Sequence, residues 1–252
     1  MGKSNSTKTR VQPTLEKLGR SAENWNSFFV LFRFGSRVPH IENDGCILDV
    51  RYGYPKDGCP GERSLPPPQE RLVWCVRNLK DFQGRGSRSK DPYTTAKRAL
   101  LRSGDPKTVE EACLLLESGR IGRKDRWCIL EGRSSPDICL ETKDFIAVGE
   151  AKRTERSFTT GTTWSRWRDQ LIRHADAASD LEAVRTGGKR CFSFFIADRD
   201  GGYDFSRYED FNTFEQSLPH RTPEMRKEVF RTYLGHVFWQ DIERAFGIEF
   251  KH

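Results

Sequence analysis

Residues Ser134–Thr154 read SSPDICLETKDFIAVGEAKRT, and this stretch decides the fold. PDICLET and DFIAVGEAK are short apolar-rich runs separated by Lys143-Asp144, the pattern of a β-hairpin. The second run is apolar until it reaches Glu150 and Lys152. Burying a charge is costly unless a partner offsets it. These residues therefore either lie at a solvated strand end or hold something. If Lys143 and Asp144 form a two-residue turn, Thr142 faces Phe145, and Asp137 faces Glu150 directly across the ladder. Opposite side chains share a face, with Cβ atoms about 5 Å apart. Strand alternation puts Lys152 on the same face as Glu150. Lys-Asp is not a favoured turn pair, and a longer loop would move the register by one or two residues.

Two carboxylates placed directly opposite repel each other. A shared divalent cation resolves the conflict, and hard oxygen ligands select Mg²⁺, with Mn²⁺ as a substitute. A lysine beside such a metal can position a water or neutralise charge that builds on a phosphate. On this reading the strand ends in charges because it ends at a metal.

Around the hairpin the pattern extends both ways. Upstream, DPYTTAKRALLRSG and DPKTVEEACLLLESG each read as a helix. Asp91 and Asp105 are the N-caps, and Gly104 and Gly119 the stops. RWCILEG then reads as a strand preceding the hairpin. Downstream, after the polar loop TERSFTTGTT, the spacing of Trp164, Trp167, Leu171, Ala175, Ala178 and Leu181 predicts one long helix. KRCFSFFIAD reads as a buried strand, and the spacing from Pro223 to Phe246 predicts an amphipathic helix. Residues 105 to 198 thus run helix–strand–strand–strand–helix–strand. The expected fold class is α/β, a central mixed sheet flanked by helices.

Pro136-Asp137 followed by Glu150-Ala151-Lys152, on a hairpin within that element order, resembles the signature of the PD-(D/E)xK, or restriction-endonuclease-like, nuclease superfamily. The resemblance spans about 105–198, under half the chain. It implies a restriction-endonuclease-like αβββαβ core in which Asp137 and Glu150 bind Mg²⁺, joined by the Ala151 carbonyl, with Lys152 catalytic. Some branches add a glutamine in a Q-x-x-x-Y pattern. Gln170 is the matching residue, but His174 stands where the tyrosine would be. Many members carry a glutamate on the first core helix; Glu110, Glu111 and Glu117 are the candidates here, and Glu111 is selected. His174 itself reads as a packed or solvated helix histidine, and Trp164 and Trp167 as core.

Domain organisation follows: residues 1–20 a flexible basic arm, 21–104 a nucleic-acid recognition region, 105–200 the nuclease core, and 201–252 a helical extension. The chain has 252 residues, net charge +7 and 12% aromatic residues, enough for a substantial core and suited to a polyanionic partner. The charge is uneven: residues 69–103 hold nine Lys or Arg against three Asp or Glu, whereas residues 198–252 hold eight against eleven. Arg85, Arg88, Lys90, Lys97 and Arg98 could track a phosphate backbone, and Arg153 and Arg156 could contact phosphate beside the motif. The seven cysteines are odd in number and form no CxxC pair, so buried reduced thiols are expected. No signal-peptide or membrane-spanning pattern is present, so a cytoplasmic location is expected.

The expected function is Mg²⁺-dependent hydrolysis of double-stranded DNA by a restriction-type endonuclease, with a homodimer plausible for palindromic cutting. The resemblance implies a 5′-phosphate product. The alternatives are a structure-selective or repair nuclease, an RNA endonuclease with the same site, and a catalytically silent nucleic-acid-binding module.

Overall fold

The computed structural model describes residues 7–32, 41, 46–79, 89–153, 165 and 167–250. Five strands form one mixed sheet in the order β1-β2-β3-β4-β5. They are β1 (Ile47–Tyr52), β2 (Ile138–Thr142), β3 (Phe145–Ala151), β4 (Arg190–Ala197) and β5 (Tyr233–Phe238). β1, β2 and β3 pair antiparallel, and β3, β4 and β5 pair parallel. The hairpin register pairs Ile138 with Gly149 and Glu141 with Ile146, as a two-residue Lys143-Asp144 turn requires. Thr142 makes this unfavoured turn workable. Its hydroxyl accepts from the N–H groups of Asp144 (3.2 Å) and Phe145 (3.0 Å), so the side chain substitutes for turn hydrogen bonds.

The helices are α1 (Gln12–Leu18), α2 (Ala22–Val30), α3 (Gln69–Arg77), α4 (Pro92–Ser103), α5 (Pro106–Ser118), α6 (Gln170–Ser179), α7 (Glu182–Arg185), α8 (Phe211–Ser217), α9 (Pro223–Arg231) and α10 (Trp239–Phe246). Strand alternation divides the core. Phe145 and Ala147 of β3, with Phe192, Phe194 and Ile196 of β4, pack against α1, α2 and α10. The opposite face carries Ile146, Val148 and Cys191 against Ala177 and Ala178 of α6, and Phe195 and Tyr233 against α8 and α9. Helices α3 to α5 enclose a separate cluster around Trp127, Leu72 and Leu116. Among the described residues no helix is long and apolar enough to cross a membrane.

Several expectations change. RWCILEG is not a strand: Lys124–Cys128 forms a 3₁₀ turn, and Arg98 donates to the carbonyls of Trp127 and Ile129, both at 3.1 Å. Those carbonyls are therefore unavailable to a sheet. The first strand is β1 instead, so the sheet draws β1 and β5 from outside residues 105–200. The long helix starts only at Gln170, because Asp169 caps it by accepting from the Ile172 N–H (3.0 Å). Trp167 is left 53% exposed rather than in the core; Trp164 lies outside the described residues. The amphipathic stretch from Pro223 to Phe246 is split by β5. Four residues there, Tyr233 to His236, lie opposite only three in β4, Ser193 to Phe195. Gly235 (φ 98°) takes the backbone conformation of that bulge. Finally, the described part of the supposed arm is helical, with Val11, Leu15 and Leu18 fully or almost fully buried. Of the cysteines, all seven are free and six are buried, but Cys46 is exposed.

A buried ionic network holds α6 against its helical neighbours. Arg168 donates to Glu131 Oε1 (2.9 Å), Asp176 Oδ2 (2.6 Å) and the Ser217 carbonyl (3.0 Å). Arg71 of α3 reaches Glu131 Oε2 (3.1 Å), and Arg221 reaches Asp176 Oδ1 (2.7 Å). Burial pushes the Glu131 carboxyl up, but Arg168 and Arg71 outweigh it and bring it down to about 2. Burial is likewise overcome at Asp176, which Arg168 and His220 hold well below the usual carboxylate range. The network ties the α3 to α5 cluster, α6 and the segment after α8 into one body.

Candidate active site

The C-terminal end of β3 is where the charges gather. Alternation turns Glu150 toward α6, and Lys152 falls on the same side. Lys152 Nζ donates to Glu150 Oε1 at 2.6 Å, and both side chains are largely shielded from solvent. The Lys152 main chain is held on both sides: its N–H donates to the Ile196 carbonyl (2.8 Å), and its carbonyl accepts from Trp239 Nε1 (2.8 Å). The ammonium is thus carried on a rigid strand end rather than a loop.

Asp137 precedes β2 and comes to the same place. Its Oδ2 accepts from the Ala151 N–H at 2.8 Å. Burial, and next the charge of Glu150, push its carboxyl well above the ordinary value, against the pull of the Ala151 N–H and Lys152. Glu150 moves the other way. Burial would raise it, but the hydrogen bonds and charges of His174 and Lys152 prevail and lower it. The two carboxyls therefore compete for one negative charge, as closely spaced acids do.

Glu62, from the loop after β1, is a third carboxyl here that the sequence reading missed. Burial, and then the charge of Glu150, raise it, and it in turn raises Asp137. It lies in a Pro- and Gly-rich loop with no periodicity, so no sequence signal marks it.

His174 is the second omission. Its Nε2 lies 2.8 Å from Glu150 Oε2, and its Nδ1 lies 2.5 Å from Ser134 Oγ. Ionised Glu150 can only accept, so Nε2–H is the donor, and in the neutral ring Nδ1 accepts the Ser134 hydroxyl. The Ser–His–Glu connectivity is that of a nucleophilic triad. Ser134, however, is 1% exposed and its backbone pairs with Leu65 in both directions at 2.7 Å. No substrate carbonyl can reach it, so the chain of bonds serves to orient Glu150. A signal for His174 did exist: it shares the apolar face of α6 with Leu171, Ala175 and Ala178, the face that covers the strand bearing Glu150.

The remaining candidates divide. Gln170 sits in the first turn of α6, and among the described residues no hydrogen bond joins it to Asp137, Glu150 or Lys152; His174, one turn on, makes the contact to Glu150. Glu111 is not part of the cluster. It accepts from Lys97 at 2.5 Å on the α4–α5 pair, and Lys97 also lies over the Trp127 ring at 4.9 Å. Lys97 and Arg98 thus brace the helical cluster rather than line a phosphate track. Lys90 is exposed. Arg153 donates from Nη1 to Thr9 Oγ1 (3.1 Å) beside the site. Arg85, Arg88 and Arg156 lie outside the described residues.

Among the described residues no three His, Cys, Asp or Glu side chains form a ready metal cage. The donor set nevertheless fits Mg²⁺, which takes one or two carboxylates and fills its remaining positions with water or phosphate oxygens. What stands behind that fit is the donor set itself: the Asp137 carboxyl, fixed by the Ala151 N–H at 2.8 Å, and the Glu150 carboxyl at the end of the same hairpin. Asp137, Glu150 and the Ala151 carbonyl are the groups that would hold it. No family model, curated protein or solved structure matches this chain, so its chemistry has to be read from these residues.

Proposed function

We propose that this protein is a Mg²⁺-dependent endonuclease that hydrolyses phosphodiester bonds in double-stranded DNA, with a core of the restriction-endonuclease-like kind. The observation that carries the reading is the convergence of Asp137, Glu150 and Lys152 at the end of a hairpin whose second strand continues through a helix into a parallel strand. Taking α2 as the first helix, the elements α2–β1–β2–β3–α6–β4 run helix–strand–strand–strand–helix–strand, with α3 to α5 inserted between β1 and β2. This supports the core assignment with different segments from those expected.

When bound, the Mg²⁺ would supply an activated water and charge neutralisation at the phosphate. The chain's own residues do the rest. Lys152 presents a cation where negative charge builds on the phosphate, from a strand end that costs no reorganisation. His174 and Ser134 hold Glu150 in one rotamer. Arg153 stands next to this cluster as a phosphate contact. Cleavage of palindromic sites by a homodimer is part of the same proposal.

The test is a substrate panel. Duplex DNA, single-stranded DNA, branched DNA and RNA are incubated with the protein in Mg²⁺, Mn²⁺ or EDTA. Discrete duplex fragments that need the metal would support the proposal. Cleavage confined to branched DNA or RNA would move the substrate while keeping the site. Binding without cleavage of any substrate would replace the enzyme with a binding module.

A further inference from the structure

The chain carries net charge +7, yet several of its arginines in the body of the fold are matched to carboxylates: Arg63, Arg71, Arg168, Arg199 and Arg221 each form an ion pair. The 3₁₀ turn at Lys124–Cys128 differs. Arg123, Lys124 and Arg126 are exposed, and among the described residues no carboxylate pairs with any of them. They line a groove of about 1110 Å³ whose walls carry four cations, Arg98 included, against the single carboxylate of Asp91. Asp91 is turned to the backbone, where it caps α4 by accepting from the Thr94 N–H (2.8 Å). Tyr93, 47% exposed, adds an aromatic ring to the same wall. The exposed cations Arg123, Lys124 and Arg126 beside an aromatic in a concave surface are what a nucleic-acid backbone needs. A second depression of about 480 Å³ shares Arg126 with it and is lined also by Gly132 and Arg133, which precede Ser134, the residue bonded to His174.

We propose that the groove lined by Tyr93, Arg123, Lys124 and Arg126 seats the sugar-phosphate backbone of the duplex flanking the bond that is cut; this rests on the nuclease reading above. The basic function assigned from sequence to the run around Lys97 thus passes to the turn after α5. The contacts are with phosphates, so they give affinity and salt dependence rather than sequence choice.

The test compares wild type with Arg123→Ser/Lys124→Ser/Arg126→Ser and with a charge-matched control, Lys227→Ser/Arg231→Ser/Arg244→Ser, whose residues are exposed on α9 and α10. Fluorescence anisotropy with a labelled duplex in EDTA, over a salt series, measures binding without cleavage. Cleavage in Mg²⁺ is followed in parallel, and circular dichroism checks the fold. The groove variant should bind about tenfold or more weakly, and its slope of log affinity against log salt should be shallower by about 2 to 3, since each phosphate contact contributes about 0.9. Its KM for cleavage should rise with kcat kept. If wild type cuts duplex DNA while the groove variant matches the control in affinity and slope, the groove assignment is overturned and the nuclease reading stands. If wild type neither binds nor cuts duplex DNA, the nuclease reading fails and the groove assignment with it.

Discussion

Gly149 immediately precedes Glu150 in β3, and a methyl group there has nowhere to go. A Cβ built at Gly149 would lie 2.3 Å from Cε2, 2.4 Å from Cζ and 3.0 Å from Cδ2 of Phe194. Ordinary contact is 3.4–4 Å, so the ring must retreat by about 1 Å or the strands must part. The ring cannot retreat easily. Phe194 is fully buried and sits edge-on to Phe28 and Phe32, with centroids 5.8 and 5.4 Å away. Overpacking a closed core costs about 1–3 kcal/mol, and this geometry belongs at the upper end, near ~3 kcal/mol. The backbone entropy gained by replacing glycine offsets less than about 1 kcal/mol. For a chain of this size ~3 kcal/mol corresponds to a drop of about 6–12 °C in Tm. Thermal and urea unfolding of Gly149→Ala followed by circular dichroism measures it. Phe194→Leu removes the colliding ring atoms, so in a double-mutant cycle the pair should be less destabilised than the sum of the singles by about 1 kcal/mol or more. A Gly149→Ala protein within about 0.5 kcal/mol of wild type, or a strictly additive cycle, would refute the packing argument.

Other consequences are as specific. Arg168→Met removes the buried guanidinium that Glu131 and Asp176 share, leaving both under-compensated, and should cost about 3–5 kcal/mol in chemical denaturation. The Glu131 carboxyl falls from 4.5 to about 2 on folding. Its contribution, roughly 3 kcal/mol, is therefore fully present above about pH 4.5 and lost as pH falls toward 2. The stability gap between wild type and Glu131→Gln should accordingly narrow between pH 7 and pH 3, and a constant gap would contradict the assignment. Asp105→Ala removes the cap on α5, where Asp105 accepts from the Thr108 N–H at 2.9 Å, and should cost ~1 kcal/mol. His174→Ala frees Glu150 to swing. It should raise the Mg²⁺ needed for half-maximal cleavage by about 10–100-fold, with activity recovered at high Mg²⁺.

Legibility from sequence followed locality. The hairpin register was readable because a two-residue separation and period-two alternation fix it, and Thr142 reinforces it from within. The helices α4 and α5 were readable because Asp91, Asp105, Gly104 and Gly119 punctuate them. The first and last strands were not. β1 is joined to β2 only after three intervening helices, and the helical periodicity of α9 and α10 runs across β5. RWCILEG looked like a strand because its apolar residues are buried, but they are buried among helices, with Arg98 holding its carbonyls. In the site, Asp137, Glu150 and Lys152 were found because one hairpin carries them all. Glu62 arrives from a distant loop with no register to place it, whereas His174 could be assigned to the buried face of α6 but not, from sequence, to Glu150. Glu111 lies on α5, which belongs to the separate α3–α5 cluster, and it pairs there with Lys97.

The most direct test is a plasmid cleavage assay with wild type, Lys152→Ala and Asp137→Asn in Mg²⁺ and in EDTA, each variant first checked for wild-type circular dichroism. The account expects wild type to cut only in Mg²⁺. Both folded variants should lose about 10²-fold or more in rate, the scale of removing one group that stabilises charge in a transition state. Cleavage that persists in Lys152→Ala, or proceeds in EDTA, would contradict it.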